Sequence, residues 1–181
     1  GLPSAGGMVE RPLKPKEYTV WNNAVRANWR KLQQSPPAIR ATRELVRHAA
    51  RQDWRALQWA SLDLRYDRDL VMEIASLYGE SLQLAPEELR RDKEVVLAAV
   101  RQKGMALYYA SGLAMRSDRE VILEAVRQDW RALELATEEL RGDREVAMTA
   151  IASGWEAVEF VSEELRESRT FLLEACQHGG G

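Results

Sequence analysis

The chain has 181 residues, a hydrophobic content of 45%, a formal net charge of −2 and a single cysteine, Cys176. One cysteine excludes a disulfide framework, and no stretch approaches the 18 or so consecutive apolar residues that a membrane-spanning helix needs. The charge is uneven: residues 1–60 hold 11 Lys/Arg and 4 Asp/Glu, a surplus of +7, while residues 61–181 hold 15 and 24, a deficit of −9. A basic end on an acidic body fits either oriented docking on a charged partner or an ordinary solvated helix surface.

Residues 1–16, GLPSAGGMVERPLKPK, are too rich in Gly and Pro for a regular element and predict an extended arm. Pro3, Pro12 and Pro15 break helix, and Gly1, Gly6 and Gly7 loosen the backbone. Leu2, Met8, Val9 and Leu13 are the candidate apolar anchors on another protein chain. Arg11, Lys14 and Lys16 are expected to face acidic groups or lipid headgroups.

From residue 17 onward one unit of about 25 residues recurs, which is the signature of a solenoid whose units pack only on their neighbours. The leading copy is worn: VRANWRKL from Val25 matches VRQDWRAL from Val126. Five units follow, with position 0 at Thr42, Asp67, Asp92, Asp118 and Asp143, and a half unit opens at Ser168. The spacing is 25 residues except for one interval of 26, whose extra residue lies near Gly112. The solenoid is expected over 17–178, followed by a Gly-rich end at 179–181.

Each unit reads as two helices and a short third turn. Asp, Thr or Ser at position 0 is an N-cap, and an acid two residues later suits the helix dipole. Offsets 3, 4, 7 and 8 are apolar and form one stripe, so Val96, Ala99, Val100, Ile122, Ala125 and Val146 should be buried and Arg101 and Arg127 exposed. Cys176 falls at offset 8 and is expected inside. A break at offset 11, as at Asn28, Asp53 and Asp129, caps a second helix over offsets 12–18. Offset 19 is Ser, Thr or Pro and opens a turn that ends in an apolar residue and an Arg. No segment alternates with period two, so no sheet is expected. The half unit from Ser168 should cap the apolar stripe of unit five. The fold class is therefore an all-α solenoid of right- or left-handed superhelix.

Two features break the repeat. Offset 12 is Trp at Trp29, Trp54, Trp130 and Trp155, expected between units, but Gly at Gly79 and Gly104. The lost indoles predict either compensated packing or an aromatic, Met-rich notch for a partner, formed by Tyr78, Met105, Tyr108, Tyr109 and Met115. The Arg ladder at Arg65, Arg90, Arg116, Arg141 and Arg166 is expected to pair with the neighbouring cap acids.

No chemistry-bearing constellation stands out. His48 and His178 have no Cys or His neighbours at metal spacing. The acids recur in register, whereas a catalytic pair is singular. No enzymatic activity, small-molecule substrate, cofactor or metal is expected.

The unit DREVILEAVRQDWRALELATEELRGD, from Asp118 to Asp143, resembles the repeat family catalogued as domain of unknown function 4116. The resemblance spans roughly Thr42 to Gln177 and departs at Gly79, Gly104 and Pro36-Pro37. It implies tandem helical repeats, occurring in algae, other protists and some bacteria, and carries over no functional residues. The expectation is a non-catalytic interaction or scaffold subunit, accessory to a large organellar complex, with an algal photosynthetic supercomplex as the specific assembly. The chloroplast is favoured over the mitochondrion, with the cytoplasm as a further setting. The alternatives are an RNA- or ribosome-associated protein using the basic N-terminal region, and a free adaptor or effector.

Overall fold

A computed structural model describes residues 13–178. Among them the fold is an all-α solenoid with no strand. The first helices of the units are Arg43–Gln52, Arg68–Leu77, Lys93–Gln102, Arg119–Gln128, Arg144–Ser153 and Arg169–His178, ten residues each. They occupy offsets 1–10 as the register requires. Asp67 accepts from the Leu70 amide at 2.9 Å, and Asp92, Asp118 and Asp143 each accept two amides of their first turns. Thr42 departs from the expected cap: its hydroxyl donates to the Ala38 carbonyl at 2.9 Å, and no side-chain cap bond forms.

The second element is a tighter object than expected. It is a six-residue 3-10 helix over offsets 12–17, as in Trp54–Trp59 and Trp130–Leu135. Short 3-10 segments suit connectors because side chains three apart line up on one edge. Here offsets 14 and 15 are the pair turned inward, Ala132 and Leu133 for example. Asn28, Asp53 and Asp129 cap it, each accepting the offset-13 amide at 3.0 Å. The third element is a full helical turn: Leu62–Arg65, Glu87–Arg90, Leu113–Arg116, Glu138–Arg141 and Glu163–Glu167.

The seam between units is made by the stripe. Val96, Ala99, Val100, Ile122, Ala125 and Val146 are fully buried, and Arg101 and Arg127 are exposed. Each buried Val or Ile contributes about 1.5–3 kcal/mol of hydrophobic stabilisation. Backbone bonds add a second tie. The amides of Ser61, Ser111, Thr137 and Ser162 donate to the carbonyls of Arg40, Arg90, Arg116 and Arg141 in the preceding units at 2.9–3.1 Å. Pro86 has no N–H and breaks this series, leaving Arg65 without that bond. The extra residue is absorbed at Gly112, whose φ of 85° lies in the left-handed region.

Three expectations are corrected. The leading helix is Pro15–Ala27, so Pro15 and Lys16 are helical and not part of an arm. Proline fits the first helical position because its missing N–H would be unpaired there anyway. Residues 1–12 of the arm, with Leu2, Met8, Val9 and Arg11, lie outside the described residues. Cys176 is exposed, since among the described residues none packs over offset 8 of the half unit. Trp130 packs onto the next unit as expected, but the offset-12 indoles are only half-buried there, and Trp155 is 41% exposed. The half unit does dock on unit five, with Phe171 and Ala175 fully buried.

Candidate functional site

The regular units show what an indole at offset 12 does. Trp130 leans onto the next unit: its ring lies 5.9 Å from the Phe160 ring, and a Cβ at Gly154 would stand 2.2 Å from it. The guanidinium of Arg131 covers the indole at 4.6 Å, and Arg30 and Arg55 do the same for Trp29 and Trp54 at 4.8 and 5.7 Å. This row of Arg-covered indoles is interrupted at Gly79 and Gly104.

The interruption is not a void. A Cβ on Gly79 would lie 2.6 Å from the Ala99 carbonyl oxygen, and one on Gly104 2.3 Å from that of Ala125. The following units have closed in on the glycines, backbone against backbone. Gly79 also donates its amide to Gln102 Oε1 at 2.7 Å, as Trp29 does to Gln52 at 3.2 Å. Compensation is thus made by the backbone and not by neighbouring aromatic side chains.

Those side chains are displaced to the surface, where they bound two adjoining clefts of about 160 Å³ each. Trp54, Tyr78, Gly79, Glu80, Gln102 and Lys103 line the first. Glu80, Lys103, Met105, Ala106, Tyr108 and Tyr109 line the second. An ion pair between Lys103 and Glu80 forms the wall they share. The hydrogen bond to Glu80 holds the Lys103 ammonium above its ordinary pKa. Tyr108 is 63% exposed and stands edge-on to Tyr109, with ring centroids 5.6 Å apart at 85°. The Tyr78 hydroxyl donates to the Arg51 carbonyl at 2.8 Å.

Four of the five residues expected in the notch are therefore together: Tyr78, Met105, Tyr108 and Tyr109. Met115 is not. It is 8% exposed and fills the apolar anchor position held by Leu64, Leu89 and Leu140 in other units. The insertion at Gly112 had shifted its apparent offset by one. Trp54, Glu80, Gln102 and Lys103 were missed. Their signal was their place beside the glycines and at offsets 10–12 of neighbouring units. Of the arm residues, Leu13 is half-buried against the core, while Lys14 and Lys16 are exposed. The Lys14 amide donates to Glu17 Oε2 at 2.9 Å.

The ladder is also corrected. The cap acids pair with the base at offset 1 of the preceding unit: Arg43–Asp67 at 2.8 Å, Arg68–Asp92 at 2.7 Å, Lys93–Asp118 at 2.8 Å and Arg119–Asp143 at 2.9 Å. Hydrogen bonds from those arginines hold Asp67, Asp92 and Asp143 below the usual carboxylate range. For Asp118, burial works upward, but Lys93 and the Val121 amide outweigh it. Among the described residues Arg65 and Arg116 meet no acid, and only Arg141 pairs locally, with Glu138. The Nε atoms of Arg40, Arg65, Arg90 and Arg141 are buried without a partner.

Among the described residues no group of three His, Cys, Asp or Glu could hold a metal ion, and no helix is long and apolar enough to cross a membrane. A family model described as "Domain of unknown function (DUF4116)" matches residues 67–113 and 114–141. The resemblance read from the repeat thus holds across the central units. These segments include both glycines and every lining residue of the two clefts except Trp54. No curated protein and no solved structure matches the chain.

Proposed function

We propose that the chain is a non-catalytic protein–protein interaction subunit, and that the paired clefts at Gly79 and Gly104 seat a partner. The observation that carries this reading is the exposed aromatic cluster at the one place where the indole row is interrupted. Tyr108 is 63% exposed, flanked by Met105 and Tyr109 and bordered by the Lys103–Glu80 pair. Buried aromatic anchors within a polar rim are the usual energetic centre of a protein interface. Tyr78, Met105 and Tyr109 pack partly against the core, whereas Tyr108 is presented to solvent.

For the assembly we propose an accessory subunit of a large organellar complex, the chloroplast favoured over the mitochondrion, with an algal photosynthetic supercomplex as the specific setting; the reading draws only on the hosts in which the resembling family occurs. The ribosome- or RNA-associated alternative is weaker, since the basic helix of unit one spends its charge internally. Arg43 pairs with Asp67, and Arg47 and Arg51 both pair with Glu73. The test is native gel migration of the tagged full chain in an organellar extract, with Tyr108→Ala and Lys103→Glu as variants. Wild type should migrate with a large complex and the variants should be released while keeping the wild-type melting temperature. Free migration of wild type, or retention of both variants, refutes the reading.

A further inference from the structure

The third helices of units four and five bring two acidic pairs face to face. Glu138, Glu139, Glu163 and Glu164, with Gly142 and Ser162, line a cleft of about 430 Å³. That volume lies within the range of about 300–1,000 Å³ typical of ligand clefts. This is the only neighbouring pair of units in which both third helices begin Glu-Glu: Glu87-Glu88 of unit two faces Leu113-Ala114 of unit three.

Three observations show that most of the cleft's polar groups lack a partner. Glu138 pairs with Arg141, but Glu139, Glu163 and Glu164 meet no base among the described residues, although the cap acids of units two to five all do. In unit two, offset 24 is Arg91, which pairs with Glu87; in unit four the same offset is Gly142, which supplies nothing and leaves the floor open. Finally, Ser162 is 8% exposed, lines the cleft, and its Oγ has no hydrogen-bond partner. A buried hydroxyl without a partner costs free energy until something bonds it.

We propose that this cleft binds a lysine- or arginine-bearing segment of a partner protein. The cation takes the place that Arg91 holds in unit two, and the Ser162 hydroxyl oxygen accepts an N–H from it. A divalent ion fits poorly, because the carboxylates do not converge as a ligand set. The inference rests on the interaction reading but uses residues apart from the Tyr108 clefts, so the two can fail separately.

The test is fluorescence anisotropy of the full chain with a labelled peptide of alternating Lys and Gly, with spermine and Mg²⁺ as competitors. Glu139→Gln/Glu163→Gln/Glu164→Gln should weaken binding about tenfold, the sum of three modest charge contacts. Glu88→Gln/Glu94→Gln/Glu134→Gln removes the same charge from exposed sites elsewhere and should change affinity less than about twofold. Gly142→Arg should also weaken binding, by supplying the cation in cis. Tyr108→Ala should leave peptide affinity unchanged. Absence of peptide binding by wild type overturns the proposal. So does equal weakening by the two triple variants, or binding of spermine or Mg²⁺ as tight as that of the peptide.

Discussion

Gly104→Ala probes how closely the units approach where the indole row is interrupted. The added methyl would stand 2.3 Å from the Ala125 carbonyl oxygen, 3.0 Å from the Asp129 amide nitrogen and 3.2 Å from the Ala125 carbonyl carbon. All three are backbone atoms of the next unit, so no side chain can rotate away. Relief requires unit four to move off by about an ångström, and overpacking of this kind costs about 1–3 kcal/mol. Against this, alanine restricts the unfolded chain and returns about 0.4–1 kcal/mol. The net loss is about 1–2 kcal/mol, which for a domain of this size lowers Tm by about 2–8 °C. Gly142→Ala is the internal control: its nearest contact, Ser162 Oγ, lies at 3.2 Å and its φ of −90° suits alanine. It should be neutral or slightly stabilising. Circular dichroism melts of the three proteins decide the matter. A Gly104→Ala protein as stable as wild type would mean that the units do not close on the glycine, and the backbone-compensation argument would fall.

Ser81 is fully buried and its Oγ has no partner, whereas the same offset is Ala56, Ala106, Ala132 and Ala157 in the other units. Ser81→Ala should therefore raise stability by about 1 kcal/mol, read from the urea midpoint; a loss would reveal a hydrogen bond at Ser81. Asp67→Asn keeps a residue that can cap the helix but removes the charge that ties Arg43, and should cost about 0.2–1 kcal/mol at pH 7. Because the folded pKa values of Asp67, Asp92 and Asp143 are depressed, their stabilisation is present above the unfolded carboxylate range and lost as pH falls through the folded values. Wild-type stability should thus drop below about pH 4, and the gap between wild type and Asp67→Asn should narrow there; an unchanged gap at pH 2 would count against the pairing. Phe171→Ala hollows the docked half unit and should cost about 3–5 kcal/mol and promote self-association, measured by melting and by light scattering. A loss below about 1 kcal/mol would show that the half unit is not a cap.

The period, the position-0 and offset-11 caps and the apolar stripe were all legible in the sequence, because they are local or nearest-neighbour properties repeated six-fold. A helix is capped by its own residues, and a stripe residue meets its counterpart one unit on, so a single register fixes both. Tertiary structure alone decided the rest. Which base meets each cap acid depends on the sideways offset between stacked helices, and this brought Arg43 and not a ladder arginine to Asp67. Whether a lost indole leaves a hole depends on how far the next backbone can advance, and at Gly79 and Gly104 it advanced fully. Met115 went into the core because a positive-φ glycine absorbed the inserted residue in the turn and restored the register beyond it. The cleft between units four and five needs two Glu-Glu pairs, a bare glycine and an unpartnered serine to converge, and residues about 25 apart in sequence become neighbours only when the units stack.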